Sequence, residues 1–121
     1  LLIEDPFGED DWDGWIKLRE ALGSSLIVVG DDLIATNVER LNLAIEKKAV
    51  TGVLVKPNQI GTVTETLWLI ENAKKAGLVI IVSHRSGETN DTFIADLAVA
   101  VSADYVKFGV NNLFHYFHTS P

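Results

Sequence analysis

Five apolar runs in this chain end in residues with chemistry to offer. Lys56 closes the run from Gly52 to Val55 and Lys107 the run from Asp104 to Val106; the other three end in Glu4 and Asp5, Asp31 and Asp32, and Ser83-His84-Arg85. Glu4 and Asp31 are hard oxygen donors, the kind that hold Mg²⁺ rather than a soft metal. The lysines suit a general base and a counter-charge to a carboxylate or enolate. Arg85 presents the planar fork that grips phosphate at two points, and Ser83 adds a hydroxyl or backbone donor. Metal, lysine and arginine around one pocket describe a small, anionic, phosphorylated ligand. Proton abstraction beside a metal-bound carboxylate is one reaction that needs this set. Singly, each residue is an ordinary strand-end group exposed to water; together, at five of five ends, they imply one site.

The elements that must position these groups recur at a fixed period. The apolar runs start at residues 1, 26, 52, 78 and 104, so each βα unit takes 25 or 26 residues. Helical faces lie between them: Trp12, Trp15, Ile16 and Arg19; Leu41, Ala44 and Ile45; Val63, Leu67 and Ile70; Ile94, Leu97, Ala98 and Val101. Thr36 with Glu39, and Thr62 with Glu65, fit capping boxes, and Gly23, Gly52 and Gly77 stand where helices should stop. The runs are apolar on both faces, as in a parallel sheet covered by helices. The fold class is α/β with the pattern βαβαβαβαβ. Two architectures fit: a parallel five-stranded half-barrel, an arc of a (βα)₈ barrel, or an open flavodoxin-like sheet. Both gather functional groups at the carboxyl ends of the strands.

Composition narrows the classes. With 121 residues, 47% of them apolar, the chain suits one domain with a real core. There is no Cys, which removes thiolate nucleophiles and zinc-thiolate or iron–sulfur sites. There is no Met either, and the chain opens inside an apolar run, so an excised or engineered segment is expected. No run approaches the roughly 18 residues of a membrane span. The net charge of −7 resides in residues 1–32, which hold nine acids and two bases. Such a surface repels phosphate backbones and argues against nucleic acid as a partner. Glu9, Asp10, Asp11 and Asp13 read as a solvated face at a helix N-terminus.

Four motifs then point to a family. Glu4-Asp5-Pro6-Phe7, Val29-Gly30-Asp31-Asp32-Leu33, Val55-Lys56-Pro57-Asn58-Gln59-Ile60-Gly61 and the run from Ser83 to Asp96 (SHRSGETNDTFIAD) resemble the C-terminal barrel of enolase, the phosphopyruvate hydratase. They stand in family order, and the resemblance covers residues 1–109. It implies that Glu4 and Asp31 are two of three carboxylates holding the catalytic Mg²⁺. Lys56 is implied as the base that removes the C2 proton of 2-phosphoglycerate, and Lys107 as the lysine facing the substrate carboxylate. Ser83 and Arg85 would meet the phosphate and a second metal, with His84 in the same loop. The implied location is the cytoplasm.

The departures carry their own expectations. The third Mg²⁺ carboxylate and the acid side of the site belong to parts of the family barrel with no counterpart in this sequence. The chain alone is therefore expected to be inactive and to hold Mg²⁺ weakly or not at all; the alternative is a minimal Mg²⁺-dependent lyase or ligand binder that keeps part of the site. A signalling receiver also has five βα units and an Asp-Asp pair, but it needs an Asp where this chain has Lys56. Residues 110–121 do not follow the family, and His115 and His118 there read as part of an aromatic packing patch or an appended sequence rather than a metal pair. Edges at Leu1 to Ile3 and Asp104 to Val106 lead to the expectation of a homodimer, with the tail packed on exposed sheet or on the partner.

Overall fold

The computed structural model describes residues 1–84, 91–110 and 113–118. Its elements are β1 (Leu2–Glu4), α1 (Trp12–Leu22), β2 (Ile27–Gly30), α2 (Val38–Glu46), β3 (Gly52–Val55), a 3₁₀ turn (Pro57–Gln59), α3 (Val63–Lys75), β4 (Val79–Ser83), α4 (Asp91–Ala100), β5 (Tyr105–Val110) and β6 (Leu113–His118). They form one six-stranded sheet in the order β1-β2-β3-β4-β5-β6. The first five strands are parallel, and β6 returns antiparallel along β5 from Val110↔Leu113 to Tyr105↔His118.

This order decides between the two architectures. A flavodoxin-like sheet reverses direction beside its first strand, so its spatial order cannot match chain order. Here every crossover steps the same way and lays its helix on the same face. The opposite face is concave. Lys107 Nζ on β5 donates to Glu4 Oε1 and Oε2 on β1 at 2.8 and 2.9 Å. In a flat sheet those strands would lie about 19 Å apart, beyond the combined reach of the two side chains. The sheet is therefore curled, as in half of a TIM-type barrel.

Each face of the sheet has its own core. Val28, Val53, Val55, Ile80, Val82 and Val106 pack under the helices with Trp15, Leu41, Leu69 and Ile94. Val29, Leu54 and Ile81 point the other way and form a smaller cluster with Leu2, Ile27, Val79 and Tyr105. Because strand side chains alternate, the residues two further along from this second set are Glu4, Asp31, Lys56, Ser83 and Lys107. The expected site residues thus share the concave face.

Several local expectations hold. Thr62 caps α3 by accepting from Glu65 N at 3.1 Å, and Gly23 and Gly77 adopt φ of 57° and 76° beyond helix ends; Asp11, read only as part of a solvated acidic face, in addition caps α1 by accepting from Gly14 N at 3.1 Å.

Others do not. Asn37, not Thr36, caps α2, because Thr36 is drawn into a buried contact with β3 described below. Gly52 is the first residue of β3, where a Cβ would come within 3.1 Å of Ile27 and 3.2 Å of Val29. It permits close strand packing rather than stopping α2; Lys48 makes that turn at φ 54°. On α3 the inward residues are Thr66, Leu69, Ile70 and Ala73, whereas Val63 and Leu67 are 57% and 43% exposed. The true face includes a threonine whose hydroxyl bonds Thr62 O, so the more apolar residues misled. The sheet edge at Asp104 to Val106 is covered by β6, the tail folding back as a hairpin strand, which is the placement on exposed sheet expected for it as one of two.

Candidate functional site

Backbone geometry at the strand ends builds the site. β1 ends in Glu4, and Asp5 turns the chain away at φ 43° while its own N–H stays on Val29 O at 3.1 Å. That turn brings the Asp5 carboxylate over the end of β2, where Oδ1 accepts from Asp31 N at 2.8 Å and Oδ2 from Asp32 N at 2.9 Å. Two successive N–H groups at a strand end need acceptors, and one carboxylate satisfies both. Asp31 O in turn accepts from Ile34 N and Ala35 N, which winds residues 31–36 into a tight loop.

Two lysine–carboxylate pairs occupy the concave face. Lys56 Nζ donates to Asp31 Oδ2 at 2.6 Å, with the two side chains 16% and 10% exposed. Lys107 Nζ donates to both oxygens of Glu4. Ser83, fully buried, pairs in register with Lys107 and donates from Oγ to His84 O at 3.0 Å; His84 is buried beside it. The structure therefore brings Glu4, Asp31, Lys56, Ser83 and Lys107 to one rim, with His84 buried next to Ser83 in the chain. Arg85 lies outside the described residues, as do the side chains of His115 and His118.

Burial raises the Asp31 carboxyl above its ordinary range, opposed by the hydrogen bond and charge of Lys56. Burial likewise raises Asp5, opposed by the bonds from the Asp32 and Asp31 amides. Asp31 Oδ1 is buried with no hydrogen-bond partner among the described residues. An orphaned carboxylate oxygen is costly unless something electropositive meets it. Hard oxygen donors around such an atom fit Mg²⁺. Carboxylate oxygens of Asp5, Asp31 and Asp32 lie within 4.8 Å of one another and could hold such an ion; Glu4, expected beside Asp31 as a ligand, is not in that cluster and instead takes Lys107 Nζ on both oxygens.

Sequence reasoning gave no role to Asp5, although its position directly after a strand end, opposite two amides needing acceptors, was a usable signal. A cavity of about 440 Å³ between the β3–α3 loop and α4, lined by Pro57, Ile60, Phe93 and Leu97 among others, has no titratable side chain and none of the rim residues in its described lining. Among the described residues no helix is long and apolar enough to cross a membrane.

Comparison with known proteins agrees with this geometry. The family model for the enolase C-terminal TIM barrel domain matches residues 1–113. The enolase of Elusimicrobium minutum (strain Pei191) is 56% identical over 107 residues, which are 88% of this chain and 25% of that protein. The chain thus spans a quarter of the length of that curated relative. With curled sheet, strand order and family model in accord, the chain belongs to the enolase family, within its C-terminal barrel domain.

Proposed function

We propose that this chain carries one half of an enolase active site: two carboxylates for Mg²⁺ and the lysines that act on 2-phosphoglycerate, whose dehydration gives phosphoenolpyruvate when the rest of the barrel is present. The observation that supports it best is the convergence of Glu4, Asp31, Lys56, Ser83 and Lys107 on one concave rim, tied by the 2.6 and 2.8 Å pairs.

The roles follow from position. Lys56 takes the C2 proton at Nζ, and Asp31 Oδ2, already its hydrogen-bond partner, faces the ammonium so formed. Lys107 sits against Glu4 from the opposite side of the concave face and supplies positive charge for the substrate carboxylate. Ser83 and Arg85 serve the phosphate. Bound Mg²⁺ would supply Lewis-acid polarisation of the substrate carboxylate. The chain alone lacks the third carboxylate and the acid partner and is inactive, since groups acting as a unit fail together.

Grafting residues 1–107 into the corresponding part of the Elusimicrobium enolase tests this. The graft should dehydrate 2-phosphoglycerate, and Lys56→Ala in it should lower turnover at least about 100-fold. A folded graft without activity, or one indifferent to Lys56→Ala, overturns the reading. Phosphoenolpyruvate formation by the 121-residue chain itself would instead favour a minimal lyase. The edges at β1 and β6 support self-association of the chain as a homodimer, and a monomer mass by light scattering at micromolar concentration refutes it.

A further inference from the structure

We propose that Thr36 is a positioning residue for Lys56, an inference that rests on reading Lys56 as the base. Thr36 is 2% exposed and sits at φ 47°, directly after Ala35 at φ 49°. Two consecutive left-handed residues without a glycine, one of them β-branched, form a costly backbone that persists only where its surroundings impose it. The return is visible in the bonding. Thr36 Oγ1 accepts from the backbone N–H of Lys56 at 3.1 Å and donates to Gln59 Oε1 at 2.6 Å. One hydroxyl thereby ties the β2–α2 loop to the end of β3 and to the 3₁₀ turn beyond it.

The same loop holds Lys56 at its other end. Asp31, five residues before Thr36, takes Nζ. Lys56 is thus gripped at main chain and ammonium by the two ends of one six-residue segment. That segment is braced internally by Ile34 N and Ala35 N on Asp31 O and by Asn37 N on Ile34 O, and from β1 by Asp5 on the amides of Asp31 and Asp32. A lysine side chain has four rotatable bonds and no fixed direction of its own. Fixing both ends selects the rotamers that keep Nζ on the concave face. Without the Thr36 hydroxyl, the end of β3 and Gln59 lose their tie to the loop, and the main-chain end of the grip opens.

Lys107 provides an internal control, because it is paired with Glu4 on other strands. The test is the rate of amine acylation of the 121-residue chain by a trace N-hydroxysuccinimide ester, read by peptide mass spectrometry at Lys56 and Lys107. Amines held in ion pairs and largely shielded from solvent react faster when the structure opens, locally or globally. Thr36→Val should raise the Lys56 rate about five-fold relative to Lys107, as a local opening does, and Thr36→Ser should restore the wild-type ratio. A purely structural role would raise both lysines together. That result, an unchanged ratio in a folded Val variant, or failure of Ser to rescue would each overturn the proposal. Should Thr36→Val not fold, Gln59→Leu removes only the hydroxyl's acceptor; it should raise the ratio in the same direction, and no rise overturns the proposal. The readout needs no substrate, so a graft indifferent to Lys56→Ala would remove the base while leaving the grip measured.

Discussion

The two lysine–carboxylate pairs look alike in chemistry and differ in what they connect. Lys56 and Asp31 belong to neighbouring strands, and the loop between them and α2 is also held by Asp5 and Thr36. Lys107 and Glu4 are 103 residues apart and join β1 to β5 across three intervening strands. One pair is embedded in a local network; the other closes the curl. An interaction with parallel supports is partly replaceable, whereas a link that spans distant strands is less so.

Removing the lysine from each pair in turn puts that contrast to the test. Lys107→Ala should show the largest effect, a loss of about 4 kcal/mol by urea denaturation, because it leaves Glu4 without this partner and lets the sheet flatten over Val29, Leu54 and Ile81. Lys56→Ala should cost about 2 kcal/mol, since the loop stays anchored at Asp5. Equal losses would erase the distinction. Next in size is metal: at 10 mM, a site with millimolar affinity for Mg²⁺ should add about 1.4 kcal/mol of stability, and Asp31→Asn should abolish the gain. Calorimetric titration giving micromolar affinity would show a fuller site than two carboxylates provide.

The smallest effect is on pH. Asp5 and Asp31 have folded-state carboxyls raised above the ordinary value of 3.8, so between that value and their folded ones the native chain binds more protons than the unfolded chain. Their contribution to stability therefore grows as pH falls through the folded values and is lost as pH rises. Asp5→Asn should flatten the fall in urea midpoint on going from mildly acidic to neutral buffer. An unchanged slope would show that burial at Asp5 is fully offset by the two amides.

Sequence patterning carried the repeat and the rim because both rest on short-range rules. A period of 26 residues and alternation along each strand suffice to place Glu4, Asp31, Lys56, Ser83 and Lys107 on one face. What it missed depends on contacts between units. Thr36 reads as a helix cap until β3 presents the Lys56 N–H to it, and Gly52 reads as a helix stop until Ile27 and Val29 crowd it. The inward face of α3 was hidden for a simpler reason: Thr66 and Ala73 are less apolar than the exposed Val63 and Leu67. The hairpin strand β6 has no place in the 26-residue repeat at all.

The matching of spatial order to chain order also bears on how the molecule assembles in time. Each parallel strand docks on the one made just before it, about 26 residues upstream, so every step closes a loop of similar length. Joining Glu4 to Lys107 spans a stretch four times longer and carries about 1.2 kcal/mol more closure entropy. On that closure cost the link is expected to form after the rate-limiting step, and contacts formed there govern how fast a protein comes apart rather than how fast it forms. The Glu4–Lys107 pair would then act as a latch on the lifetime of the curl.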